Sequence, residues 1–161
     1  MENIQSRLHT FTLPTWNEIP DVGLYLDQVT KYINGFFVDF PEMKVTPSMI
    51  SNYVKLKIVS KPEKKVYSRE QIAYFIFIVL SKTVLSMENI KKVFSIQKGL
   101  CSAEEGYTYF QAEMMNVLKH IYDSKQKENT KNLTEEKRMV NHIVIAIAYK
   151  MYLEKYFEVQ E

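Results

Sequence analysis

Apolar positions recur every three or four residues along most of the chain, which is the spacing of helices packed on a core. Each such run follows a start signal, a side-chain oxygen with a proline, an acid or an amide in the first turn. Clear signals of this kind stand at Thr46, Ser68, Ser86, Ser102 and Thr134. A weaker one at Asp21 predicts a further helix, so the pattern indicates about six helices.

One short segment departs from the helical spacing. After a predicted helix at residues 47–55, the β-branched residues Ile58, Val59 and Val66 flank the polar stretch Lys61-Pro62-Glu63-Lys64-Lys65. β-branched residues on both sides of a short polar tip predict a hairpin-like loop, or wing, with a basic tip. The predicted fold class is therefore all-α with a small β wing.

Two predicted helices are apolar on more than one face. The helix that starts at Arg69 and ends near Val84 is apolar nearly all round, so its own domain must cover it, alone or with a partner chain. In the last helix, residues 133–157, opposite sides are both apolar, which favours a homodimer. One side carries Met139, Val140, Ile143, Val144, Ile147 and Met151, and the other carries Ile145, Ala148, Tyr149 and Tyr152. The polar residues 123–132 before this helix predict a mobile loop.

The composition excludes several classes of protein. Apolar residues make up 46% of the 161 residues and charged residues 25%, which is typical of one folded, helix-rich domain. The longest apolar runs are far shorter than the roughly 20 residues of a membrane span. No basic segment followed by an apolar run stands near Met1, so we expect a cytoplasmic protein. Cys101 is the only cysteine, which excludes a multi-cysteine metal site.

The distribution of charge is more informative than its total. Residues 44–98 contain eleven Lys and Arg residues and three acids, so this segment has a net charge of +8, whereas the net charge of the whole chain is +2. The rest of the chain therefore carries −6. A basic middle segment is typical of a protein that neutralises phosphates, although a solvated basic face would have the same composition.

An enzyme is not expected. His9, His120 and His142 lie in unrelated contexts, without a metal-binding, nucleophile or phosphate-loop motif around them. The acidic pairs at residues 104–105 and 135–136 stand in the first turns of predicted helices, where the helix dipole explains them. We therefore expect no catalytic residue, no metal and no cofactor.

Residues 45–94 resemble the winged helix-turn-helix domain of MerR-type regulators. Residues 45–53 (VTPSMISNY) are similar to its recognition helix, residues 55–59 (KLKIV) to the segment entering its wing, and residues 65–68 (KVYS) to the segment leaving it. Residues 84–91 (VLSMENIK) are similar to a later segment of that domain. The resemblance implies a DNA-binding module with duplex DNA as the partner.

A second resemblance covers a longer stretch. Residues 13–22 (LPTWNEIPDV), 25–29 (YLDQV), 52–57 (NYVKLK) and 67–73 (YSREQIA) resemble a bacterial family known as domain of unknown function 1836. This resemblance implies a bacterial origin. It implies no particular biochemistry.

In a recognition helix one side packs inward and the other offers polar groups to DNA. On residues 47–55, Ile50, Tyr53 and Val54 form the predicted inward side, and the outward residues are Ser48, Ser51, Asn52 and Lys55. Asn52 suits a bidentate contact to adenine, the serines suit bases or phosphates, and Lys55 suits a phosphate. The resemblance also implies a phosphate contact by Tyr53, whose alternative role is that of a core tyrosine.

Lys61, Lys64 and Lys65 would let the wing hold the DNA backbone, and the alternative is a solvated loop tip. MerR-type helices commonly have Arg at the position of Ser51 and Thr at that of Met49, and both differences weaken phosphate binding. The first helix of the module is expected at residues 21–37, separated from the recognition helix by residues 39–44.

The C-terminal half is rich in aromatic residues. They would line an effector pocket or pack between helices and across a dimer, and we favour packing. They are Tyr107, Tyr109, Phe110, His120, Tyr122, Tyr149, Tyr152, Tyr156 and Phe157.

The sequence thus predicts an N-terminal arm and helix (residues 1–44), a MerR-like module (45–98) and a helical pair for dimerisation or effector binding (99–161). The expected function is that of a dimeric DNA-binding transcriptional regulator on a two-fold site. The alternative is a protein-interaction module that keeps the fold without tight DNA binding.

Overall fold

The computed structural model describes residues 4–121 and 133–160. It is mostly helical with one small antiparallel sheet, which confirms the predicted mixture of helices with a minor β component. Residues 123–132, the predicted loop, lie outside the described residues. The helices are α1 (Ile4–Thr10), α2 (Leu26–Asn34), α3 (Pro47–Lys55), α4 (Arg69–Ser81), α5 (Met87–Leu100), α6 (Ala103–His120) and α7 (Glu135–Gln160). The strands are β1 (Leu24–Tyr25) and β2 (Val66–Tyr67), and single 3-10 turns lie at Trp16–Glu18, Gly35–Phe37 and Pro41–Met43.

The five clear start signals are confirmed by their hydrogen bonds. The hydroxyl oxygens of Thr46, Ser68, Ser86, Ser102 and Thr134 each accept from the backbone N–H three residues later. These bonds satisfy donors that a helix start otherwise leaves unpaired. Helices α3 to α7 therefore begin where the sequence places them.

The start of α2 was predicted wrongly. The helix begins at Leu26 instead of after Asp21, and the backbone N–H of Tyr25 is capped by the side chain of Gln28 at 2.9 Å. The two residues before the helix are extended because they form β1, which pairs with β2 through Leu24–Tyr67 and Tyr25–Val66. A glycine is required just before β1. Gly23 has φ of 77°, and a Cβ atom there would lie 3.3 Å from the side chain of Val66.

The wing also differs from the prediction. Ile58 and Val59 were expected to oppose Val66 in a hairpin, but they form no strand, and both are buried. Their backbone N–H groups donate to the carbonyl oxygen of Tyr53, at 3.1 and 3.4 Å, so they end α3 and are not available to a strand. The strand that leaves the loop pairs with β1 instead.

Helix α4 is the centre of the fold. Every residue from Gln71 to Ser81 is buried. The described part of this single chain therefore covers a helix that is apolar all round, and no partner is needed for it. The surrounding core runs continuously from Leu8 to Met151 and joins all three predicted segments. Among the described residues, no helix has the length and apolar character needed to cross a membrane.

The side of α7 that was predicted to face inward packs on this core. The prediction for the opposite side was largely wrong, because Ile145 and Tyr152 also pack against the core and only Tyr149 of that set is exposed. Ile143, Val144, Ile147, Met151 and also Ala148, which was expected on the outer side, are buried. A buried lysine fixes the end of the helix. The ammonium of Lys155 donates to Glu158 at 2.9 Å and lies 4.4 Å from the ring centre of Phe40.

Tyr107 ties α6 to the segment before α2. Its hydroxyl donates to the carbonyl oxygen of Pro14 at 2.7 Å in a buried position, and burial raises the pKa of Tyr107. We expect Tyr107→Phe to lower the free energy of unfolding by about 1–3 kcal/mol at pH 7, because the Pro14 carbonyl loses its buried donor. Urea denaturation measures this loss of stability. The control is Tyr149→Phe, which removes the hydroxyl of an exposed tyrosine.

The same variant has a pH signature. A tyrosine whose folded pKa is raised favours folding below its unfolded pKa of about 10, and this contribution disappears as the pH rises further. The difference in stability between wild type and Tyr107→Phe should therefore shrink above about pH 10. Equal stability of the two proteins at pH 7 would show that the hydrogen bond contributes nothing.

Candidate nucleic-acid interface

Helix α3 has the two faces that the sequence predicts. Thr46 caps it, Pro47 occupies its first turn, and Ile50 on its inner side is fully buried. On its outer side Ser48, Asn52 and Lys55 are exposed, and Ser51 is half-buried. Short polar side chains and one cation thus face outward on a helix whose opposite side is fixed in the core.

Tyr53 does not belong to this outer side. It is 3% exposed, packs with Phe75 and accepts a hydrogen bond from the Lys82 ammonium at 3.3 Å. Burial raises the pKa of Tyr53 to about 12 and lowers the pKa of Lys82. Of the two roles considered for Tyr53, the structure places it in that of a core tyrosine, because the core covers its ring.

An asparagine holds α3 next to α2. The side chain of Asn34, the last residue of α2, donates to the Val45 carbonyl oxygen and accepts from the Val45 N–H, both at 2.8 Å. Two 3-10 turns fill the connection between the helices. Helix α2 is thus the helix paired with α3, although the chain between them is long. Nothing in the local pattern around Asn34 signals this contact, because it joins residues eleven positions apart.

The end of α3 leads directly into the loop of residues 56–65, which we call the basic loop. The N–H of Lys57 donates to the Val54 carbonyl, and the N–H of Ile58 donates to the Tyr53 carbonyl. This pair of bonds is a Schellman motif, whose left-handed position is usually glycine. Here Lys57 occupies it, with φ of 58°.

Two further lysines have positive φ at the tip of the basic loop. Lys64 and Lys65 have φ of 48° and 67°, and the N–H of Val66 donates to the Glu63 carbonyl at 2.9 Å. Two successive central residues with positive φ and this hydrogen bond define a type I′ turn, for which Asn-Gly is preferred. A residue with a Cβ atom is less stable by roughly 1–2 kcal/mol in this left-handed conformation, because the Cβ atom lies too close to the following carbonyl oxygen. The tip therefore presents two ammonium groups at a cost in stability.

Residues that fit the left-handed conformation should stabilise the tip of the basic loop. We expect Lys64→Asn/Lys65→Gly to raise the free energy of unfolding by about 1–2 kcal/mol, because asparagine and glycine fit the left-handed turn. Chemical denaturation measures the change. Lys61→Asn removes one charge from the same loop at a residue without positive φ and should give no gain. A double variant no more stable than wild type would contradict the strained turn.

Gln71 joins the basic loop to α4. Its amide nitrogen donates to the carbonyl oxygens of Ser60 and Lys61 at 2.9 and 3.1 Å, and to the Ser60 hydroxyl at 3.2 Å. Its amide oxygen accepts from the Ser68 N–H, so one side chain caps α4 and positions the loop. In the sequence, Gln71 is visible only as the first-turn amide of the start signal at Ser68. Its contact with the loop has no local signal.

The lysines of this region have no carboxylate partner in the part of the chain that the structure describes. Within the described residues, none of the six lysines of residues 44–65 forms an ion pair, and Glu63 is the only acid in that range. By contrast, Lys92 lies 3.5 Å from Glu88, and Arg69 lies 3.9 Å from Asp21. All six lysines are exposed, namely Lys44, Lys55, Lys57, Lys61, Lys64 and Lys65.

Ser48, Asn52 and Lys55 are exposed on the outer side of α3, and the chain runs on from Lys55 into the basic loop, where Lys61, Lys64 and Lys65 are exposed. Ser51 is half-buried, and Tyr53 is buried in the core. Exposed short polar groups can bind base edges, and exposed ammonium groups can bind phosphates.

Comparison with known families matches a large part of the chain. A family model described as a domain of unknown function (DUF1836) matches residues 14–115, which is more than half of the chain. The matched span contains the sheet, α2 to α5 and most of α6. No curated protein and no solved structure matches the chain.

Proposed function

The chain belongs to the DUF1836 family, described only as a domain of unknown function, and from its interface we propose a cytoplasmic, dimeric, DNA-binding transcriptional regulator. The observation that carries this proposal is a set of six exposed lysines, one just before α3, one at its end and four in the basic loop, with no carboxylate partner among the described residues. Ammonium groups that neutralise phosphates release counterions from DNA, and this release drives binding.

The parts of a MerR-like winged helix-turn-helix can be assigned to this surface. Helices α2 and α3 are the helix pair, with α3 in the major groove and Asn52 at a base edge. The basic loop is the wing, and its tip holds the DNA backbone through Lys64 and Lys65. Ser48, Ser51 and Lys55 contact phosphates or bases beside Asn52, and Lys61 contacts the backbone.

The outer side of α7 supports the dimer. Four large side chains there are covered only in part by the described residues and are between 39% and 62% exposed. An exposed apolar strip of this kind is typical of an interaction surface. The same strip on a second copy of the chain can pack against it around a two-fold axis. In such a dimer the two copies of α3 are related by the same two-fold axis, as recognition of a two-fold DNA site requires. The strip consists of Tyr149, Leu153, Tyr156 and Phe157.

A protein-interaction module is the second candidate. It is favoured by the outer side of α3, where Lys55 is the only cation, and by Ser51 and Met49 in place of better phosphate ligands. A fold does not determine a function, so an adaptor with this architecture would bind a protein instead of DNA.

Selection from a random duplex pool tests the first candidate against the second. Purified protein is mixed with the pool at several salt concentrations, and the bound fraction is sequenced. The regulator is supported by enrichment of a two-fold symmetric motif. Retention of no duplex even at low salt would reject it in favour of the interaction module.

A further inference from the structure

A cavity of about 560 Å³ lies away from the basic surface, between α4, α5, α6 and the start of α7. Its walls are mostly apolar and include six aromatic rings. Volumes of about 300–1,000 Å³ with apolar walls are typical of small-molecule sites. Three walls come from helices of the core, so the space is concave and not a flat patch. The rings belong to Tyr74, Phe77, Phe94, Tyr107, Tyr109 and Phe110.

The tyrosine hydroxyls and the glutamine amide of the walls are already bonded within the chain. The Tyr109 hydroxyl donates to Asn141 at 2.7 Å, and the Tyr107 hydroxyl donates to Pro14. The Tyr74 hydroxyl lies 3.2 Å from the Gln97 amide oxygen, and the Gln97 nitrogen donates to the Cys101 carbonyl at 2.8 Å. A ligand with many polar groups would find few free partners and would lose its hydration.

The edge of the cavity adds two constraints on the ligand. Leu100 is 60% exposed there, so a bound apolar molecule would cover an apolar side chain that now faces water. Two carboxylates, Glu105 and Glu136, and one cation, Lys137, also line the cavity. The excess of carboxylates disfavours an anion.

We propose that this cavity binds a neutral, largely aromatic small molecule. Aromatic walls stack on aromatic ligands, the bonded hydroxyls disfavour polar ones, and the carboxylates disfavour anions. The site lies outside the DNA-facing surface, and the proposal goes beyond the proposed function. Its test needs no DNA, so the failure of one proposal leaves the other standing.

A matched pair of fluorescent probes tests the class of ligand. N-phenyl-1-naphthylamine is neutral, and 1-anilinonaphthalene-8-sulfonate has the same rings with one sulfonate added. The neutral probe should bind the full chain saturably, one molecule per chain, and at least about tenfold more tightly than the sulfonate. Equal or tighter binding of the sulfonate would overturn the proposed ligand class.

Two measurements locate the bound probe. Ala103→Phe places a ring in the cavity wall and should weaken binding of the neutral probe at least about tenfold. The same change at Ala112, an exposed residue of α6, should not weaken it.

In the wild type, the bound probe should slow the reaction of Cys101, which lines the cavity, with a thiol reagent. This second measurement does not depend on the folding of a variant. An unchanged Cys101 rate, or an equal loss of binding in Ala103→Phe and Ala112→Phe, would overturn the assignment.

Discussion

Reversing the charges at the tip of the basic loop should lower the affinity for duplex DNA about a hundredfold at ~0.1 M salt. Each phosphate contact contributes close to a factor of ten at that salt concentration, because its salt slope is about −0.9. Lys64→Glu/Lys65→Glu removes two such contacts and adds repulsion. Both side chains are exposed and form no ion pair with any described residue, so we expect the fold to tolerate the change of charge. Fluorescence anisotropy with a labelled duplex measures the change.

A matched control variant distinguishes the loss of DNA contacts from the effect of a changed net charge. Lys91→Glu/Lys92→Glu makes the same change in net charge at exposed positions of α5, outside the proposed interface. We expect this variant to lose less than about threefold in affinity, since long-range charge is screened beyond ~10 Å at this salt. Equal losses in the two variants would mean that the basic loop does not contact DNA.

The second large effect is expected at Gln71. In Gln71→Glu the side chain keeps its shape and can still accept from the Ser68 N–H. The second carboxylate oxygen then faces the carbonyl oxygens of Ser60 and Lys61 in place of an N–H donor. Because Gln71 is 8% exposed, we expect a loss of about 2–4 kcal/mol in the free energy of unfolding.

Urea denaturation of Gln71→Glu measures this loss. The control is Glu105→Gln, the reverse exchange in the capping box of α6, where the side chain is exposed and a change within about 0.5 kcal/mol is expected. A Gln71→Glu protein as stable as wild type would show that Gln71 does not position the basic loop. If the loop is positioned by Gln71, the variant should also bind duplex DNA more weakly at a temperature where it remains folded.

The helix starts could be predicted because their causes are local. A serine or threonine hydroxyl and the N–H three residues later are close in the chain, so Thr46, Ser68 and Ser102 signal helices by themselves. The start of α2 was predicted wrongly because the residues before it form β1. This strand pairs with residues about forty positions later, and no short pattern contains both strands. The same reason explains the wing, where Ile58 and Val59 complete the end of α3.

The candidate site was predictable in its polar pattern and not in its geometry. The outward positions Ser48, Asn52 and Lys55 follow from helical spacing once α3 is placed. The type I′ turn at Lys64-Lys65 could not be inferred, because that turn normally requires glycine or asparagine and the sequence has neither there. The cavity beside α5 depends on how four helices pack, which no single segment encodes.

The salt dependence of DNA affinity in wild type and in Lys64→Asn/Lys65→Gly tests the central claim most directly. The variant keeps the turn and removes only two ammonium groups, so a change in binding reports their phosphate contacts. The claim predicts that the slope of log affinity against log salt becomes shallower by about 1.8, twice the value of one contact. An unchanged slope, or a wild-type protein that binds no duplex at low salt, would contradict it.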